Sequence, residues 1–239
     1  MSSLNITLGG HSTRCRFPER AMAYTTVKST GESENTVSYG VNVTASGLRH
    51  FLDPLCPSEE HETTQAEAEA AVSSFSSSPV IVSKNPNTAD ARGNRLGRPR
   101  IYNAVITIFA IFCDFNELHK FIVKVDGYSN AKLNNVSWFL TDATKQRMGG
   151  ESRNEAVLDA VMKANQYAKA AGFERATSVD IKEIEPQTMN ASGYPQRPIY
   201  RHSSGVSLTP QDIVLDCCVD VDFECVGDLG SAGRSNDTS

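Results

Sequence analysis

The side chains most able to do chemistry lie near the C-terminal end, in QDIVLDCCVDVDFECV over residues 211–226. Asp220, Asp222 and Glu224 occupy alternate positions, so an extended backbone turns all three the same way, a starting arrangement for a hard cation such as Ca²⁺. Strand geometry spaces such carboxylates about 7 Å apart, which favours a solvated acidic face. Repulsion along that face asks for a basic neighbour, and Lys182 is one candidate. Cys217 and Cys218 are adjacent, yet neighbouring side chains on a strand point to opposite faces, so a disulfide between them would be strained. Cys217 is assigned to the core and Cys218 to the surface as a free thiol. His61 stands among Glu59, Glu60 and Glu62; a metal site needs held geometry, and the segment reads as a flexible acidic loop. Arg92, Arg95, Arg98 and Arg100 crowd nine positions of RGNRLGRPR. A solvated loop is the ordinary reading of such a run, and it is also the best candidate surface for an acidic partner.

Motifs that would name a reaction are absent from the sequence. There is no G-x-G-x-x-G after a strand, no Walker A, no H-E-x-x-H and no G-x-S-x-G. A non-enzyme with no cofactor and no metal is the expectation. Among the 239 residues, 39% are hydrophobic and 21% charged, which suits a folded soluble chain. The net charge of −5 argues against a phosphate-backbone binder, so no nucleic-acid partner is expected. No apolar run reaches the ~20 residues of a membrane span, and the start MSSLNITLGGHSTRCR lacks the apolar core of a signal peptide. A cytoplasmic location follows, and six cysteines without framework spacing agree with it.

The elements that must position these groups are organised around ESRNEAVLDAVMKANQYAKAAG, residues 151–172. Ser152 and Glu155 have the spacing of a capping box, which starts a helix at that point. Val157, Ala160, Val161, Ala164, Ala168 and Ala171 recur at three- and four-residue steps, and Gly172 sits where a C-cap takes a positive φ. Residues 141–150 then read as a loop. Upstream, residues 1–13 read as disordered and residues 14–30 as extended. A helix near Ser33 carries a stripe of Val37, Val41, Ala45, Leu48 and Leu52, ending at Asp53-Pro54. A strand follows from about Ala71. IYNAVITIFAIFC, residues 101–113, is apolar enough for a strand buried on both faces. A short helix with Leu118, Ile122 and Val125 inward stops at Gly127, and residues 132–140 form a strand around Trp138, which is read as core. Residues 177–185 alternate Val179, Ile181 and Ile184 against charges. In 211–226, Ile213, Leu215, Cys217, Val219, Val221, Phe223 and Cys225 share one face, as in an antiparallel sheet wet on its other side.

The order is β-α-β-β-α-β followed by α-β-β, an α+β class with about three helices on an antiparallel sheet. Its first six elements follow the split β-α-β, ferredoxin-like sequence. One domain is expected over 14–226, with polar inserts at 56–65, 84–98 and 186–204 and a disordered tail at 227–239.

Three stretches together resemble the SIMPL domain (DUF541) family, which includes the bacterial oxidative-stress defence protein YggE and a mammalian protein that binds an interleukin-receptor-associated kinase. They are the helix with Glu155, Ala156, Ala160, Ala164, Ala168 and Gly172, then RIYNAVITIFAIFCDFNELHKFI followed by NNVSWFLTD, then the ending LTPQDIVLDCCVDVDFEC. The segment Pro18–Ala21, PERA, is similar to the family's opening. The resemblance implies a non-catalytic module that associates with itself or with protein partners, linked in some members to signalling or oxidative stress. It supplies no catalytic residues. The stress link points a competing reading, a thiol-based redox protein, to Cys218.

Overall fold

The computed structural model describes residues 4–57, 70–84, 101–184 and 210–228. In chain order its elements are β1 (Leu4–Arg16), β2 (Arg20–Gly31), α1 (Glu34–Leu52), β3 (Val72–Ser77), β4 (Ile81–Lys84), β5 (Tyr102–Phe112), α2 (Phe115–Asp126), β6 (Ala131–Phe139), α3 (Asp142–Ala170), β7 (Phe173–Ile184) and β8 (Ile213–Asp228). The class is α+β, as the element order implies. The elements fall into two compact units: β2 to β6 with α1 and α2 in one, and β1, α3, β7 and β8 in the other.

In the unit of β2 to β6 the sheet runs β3-β5-β2-β6, and β4 also pairs with β5. Every pairing is antiparallel. This is the split β-α-β arrangement read from the element order. The helix stripe explains it. Val37, Val41, Ala45, Leu48 and Leu52 of α1 are all buried, as are Leu118, Phe121, Ile122 and Val125 of α2. Both faces meet Ala21, Ala23 and Val27 of β2, Ala104, Ile106, Ile108, Ala110 and Phe112 of β5, and Val136 and Trp138 of β6. Phe121 lies 5.4 Å from Phe112, and Phe115 meets Trp138 edge-on at 4.9 Å. Each large side chain buried here contributes roughly 1.5–3 kcal/mol over an exposed one. Helix α1 begins after Ser33, whose side chain makes no cap bond, and gives way to a 3₁₀ turn at Asp53–Leu55. Asp114 caps α2 by accepting from the Asn116 N–H at 2.8 Å.

Strand β5 departs from its expectation. Alternate residues from Ala104 to Phe112 are buried against the helices, but the intervening ones are not, and Phe109 is 39% exposed. Among the described residues the helices cover only one face, because α1 and α2 both lie on the same side.

In the other unit the sheet order is β1-β8-β7, antiparallel throughout. Residues 4–13 were expected to be disordered; they form most of β1, and Gly227 and Asp228 extend β8 past the expected start of the tail. The inward face of β8 is the one read from its alternation: Ile213, Cys217, Val219, Val221, Phe223 and Cys225 are buried. Against them lie Ala156, Ala160 and Ala164 of α3. Gly10 of β1 allows the close approach, since a Cβ there would overlap the Ala156 carbonyl oxygen and sit 2.9 Å from the Ala160 Cβ.

Helix α3 starts at Asp142, nine residues before the Glu151 start read from the sequence. Thr141 is its N-cap, accepting from the Thr144 N–H, and the helix runs 29 residues. Ser152 and Glu155 are therefore no capping box. The extra turns are held by Thr144 and Met148, both buried. Met148 packs with Leu140 and Ile213, which outweighs the roughly 1 kcal/mol that each of Gly149 and Gly150 costs a helix. At the far end Ala171 is exposed, and Gly172 takes φ +85° as expected.

Strand β7 is longer than residues 177–185 and buries less. Val179, Ile181 and Ile184 are 69%, 49% and 44% exposed, because β7 is the sheet's edge and a bulge between Ser178 and Asp180 breaks its alternation.

Candidate functional site

The residues singled out from sequence fall in different places. Arg92, Arg95, Arg98 and Arg100, and His61 with its glutamates, lie outside the described residues. Cys218 is half-buried on β8, opposite His11 of β1 and Ile184 of β7 in register. Cys217 points into the core, where burial, with Glu183 adding to it, pushes its thiol pKa up and keeps it neutral. All six cysteines are free.

The acidic face of β8 is held by its neighbours. Thr7 Oγ1 donates to Asp222 at 2.6 Å, and Thr13 Oγ1 donates to Asp216 at 2.7 Å. Lys182, the basic neighbour sought from sequence, lies 3.3 Å from Asp180 and 3.8 Å from Asp222. Its own pKa is raised, first by the bond to Asp180 and then by the surrounding carboxylates. Among the described residues no group of three or more His, Cys, Asp or Glu side chains is set to hold a metal ion.

A second polar network joins β1 to α3. Arg14 donates from Nε to Glu155 at 3.0 Å and from a terminal nitrogen to Glu151 at 2.7 Å, with a further contact to Glu155. Asp159 accepts from the His11 backbone N–H at 3.0 Å and from Lys163 at 2.6 Å, and Lys163 also reaches the Gly9 carbonyl at 3.1 Å. Ser12 and Ser152 share a buried hydrogen bond of 2.6 Å. The Arg14 guanidinium holds the Glu155 carboxyl below its ordinary pKa, and Lys163 with the His11 N–H does the same for Asp159. These groups fasten a strand to a helix. The sequence signal was there in Glu155 and Ser152, but it was assigned to a cap.

The surface most suited to an occupant is the helix-free face of the β3-β5-β2-β6 sheet. Tyr24 of β2 stacks on Phe109 of β5 with ring centroids 4.9 Å apart and planes at 25°. By strand alternation and register, Met22, Val105, Ile111 and Ile81 share that face, and Ile81 is 61% exposed. Around them stand Ser74, Ser76, Thr26, Thr107, Asn135 and Ser137. Among the described residues charge enters this face at Arg20 near the start of β2, at Lys28 opposite Val105 and at Lys132 opposite Thr26. Arg20 there contacts the Cys113 thiol. Thr26 and Thr107 separate the Tyr24, Phe109, Met22 and Ile111 cluster from Val105 and Ile81, and an aromatic and aliphatic cluster bordered by polar side chains is the composition of a protein interface. The sequence carried this signal as the near-continuous apolar run of β5, which was read as burial on both faces.

No helix among the described residues is long and apolar enough to cross a membrane. A family model described as SIMPL, a protein of unknown function (DUF541), matches residues 6–223. No curated protein matches the chain.

Proposed function

The chain belongs to the SIMPL (DUF541) family, and on that footing we propose that it is a cytoplasmic, non-catalytic binding and assembly module that docks a protein partner on its helix-free sheet face. The observation that carries this is the Tyr24–Phe109 stack, with Met22 and Ile111 beside it, in an apolar cluster that neither α1 nor α2 covers. The dimensions fit such a role. Eleven residues of β5 at about 3.3 Å each, across four strands about 4.8 Å apart, give a face of roughly 700 Å². A stable interface buries about 800 Å² per partner. The competing thiol reading finds its candidate, Cys218, half-buried in the middle strand of a sheet, where access is limited.

A photo-crosslinking side chain placed at Phe109 tests the proposal in native extract. One saturable adduct is expected, lost when Ile111→Glu is added, with the same crosslinker at exposed Leu158 of α3 giving none. Diffuse labelling at both positions, indifferent to Ile111→Glu, would remove the docking face.

A further inference from the structure

Strand β7 pairs with β8 on one side and ends the sheet on the other. The Asn165 side chain closes one end of that free edge by accepting the Ala176 N–H at 3.1 Å. From Thr177 to Ile184 every side chain is exposed, so among the described residues this stretch carries a backbone edge that no strand pairs, beside bare Val179, Ile181 and Ile184. A long edge of this kind is a template for another strand unless its side chains prevent pairing. Here the charges do not forbid pairing. They select one register.

Asp180 and Lys182 are two residues apart, so they stand on the same face of β7 with Ile181 between them on the other. We propose that β7 is a self-recognition edge, pairing antiparallel with β7 of a second copy about a two-fold axis at Ile181. That register sets Asp180 of one protomer opposite Lys182 of the other, twice over, and Ile181 opposite Ile181. Directly opposed unlike charges stabilise an antiparallel pair, and like charges oppose it. A shift of two residues in pairing puts Lys182 against Lys182 in one direction and Asp180 against Asp180 in the other. Both side chains are available, with Asp180 54% and Lys182 69% exposed. The same face holds Asp220 and Asp222 on β8, with His11 on β1 beyond, so the edge repels an acidic strand and any pairing that brings a second carboxylate opposite Asp180. A two-fold contact uses one patch on both copies and closes at a dimer, two three-stranded sheets becoming one of six.

This deepens the assembly half of the reading above and involves none of the residues of the Tyr24–Phe109 face. Sedimentation equilibrium of the full chain is the test. The wild type is expected to dimerise. Asp180→Lys is expected to weaken the dimer roughly tenfold, by turning two attractions into repulsions, and the swap Asp180→Lys with Lys182→Asp to restore it. Ile181→Cys should give a covalent dimer under mild oxidation, mapped by mass spectrometry to residue 181 in both chains, while Val179→Cys should not, its copies lying four residues out of register. A wild type that stays monomeric, or a dimer indifferent to Asp180→Lys, would overturn the proposal. Either result leaves capture at Phe109 as it was, so the two readings fail separately. Circular dichroism of each variant confirms that the fold is intact.

Discussion

Ser12 of β1 and Ser152 of α3 meet hydroxyl to hydroxyl at 2.6 Å, in a site where Ser152 is wholly buried. The pair lies 140 positions apart in sequence and ties the first strand to a helix interior. Ser152→Ala leaves the Ser12 hydroxyl without this partner and should cost about 1–2 kcal/mol in unfolding free energy. Removing both hydroxyls together should cost less than the two single changes combined. Denaturant titration of the two singles and the double checks this.

Gly10 should be intolerant of any side chain. A Cβ at that position meets the backbone of α3 at Ala156, which cannot swing aside as a long side chain would. Gly10→Ala is expected to destabilise by about 1–3 kcal/mol or more. Ala164→Leu, on the same buried helix face, should behave alike. An unchanged melting temperature in both would mean that α3 does not press on β1 and β8 in this way.

The strand-to-helix network fixes the direction of the acid response. Glu155 and Asp159 have folded pKa values below their ordinary ones, because of Arg14 for the first and of Lys163 and the His11 N–H for the second. Their contribution to stability is complete above the ordinary carboxylate range. As pH falls the unfolded chain takes up protons first, and the contribution is gone once pH drops through the folded values. Thermal melts from pH 7 to roughly pH 3 should therefore show a declining acid limb, flatter in Arg14→Gln with Lys163→Gln. Since the four side chains are partly exposed, from 24% for Asp159 to 47% for Glu155, raised salt should shrink the difference.

Thr25 of β2 is fully buried, and its hydroxyl has no hydrogen-bond partner among the described residues. Thr25→Val keeps the shape and removes the unpaired group. A gain of about 1 kcal/mol is expected in denaturant unfolding, whereas a loss would show that the hydroxyl is satisfied in solution.

What could be read from sequence follows the physics of one-sided burial. The stripe of α1 and the alternation of β8 were legible because each element buries one face against a single layer, so its period survives intact. The start of α3 was not, since Ser152 and Glu155 imitate a cap and Gly149-Gly150 imitates a break, while the packing of Met148 decides the matter. Strand β1 hid behind a polar-looking start in which Leu4, Ile6 and Leu8 do alternate before Gly9 and Gly10 interrupt them. In β7 the bulge at Val179 undid an alternation that looked sound. The candidate site was half visible: the apolar run of β5 announced two apolar faces, but only the arrangement of α1 and α2 shows which one is left open.

That open face is the centre of the account, and Phe109 measures it most directly. Phe109 and Phe112 lie on opposite faces of one strand, one 39% exposed and the other buried. Phe112→Ala should cost about 3–5 kcal/mol, as a core truncation does. Phe109→Glu should change unfolding free energy by no more than about 0.5 kcal/mol, as a surface change does, while abolishing partner capture at that face. A loss of several kcal/mol in Phe109→Glu, or full stability with capture unchanged, would contradict the claim that this sheet face exists to be bound.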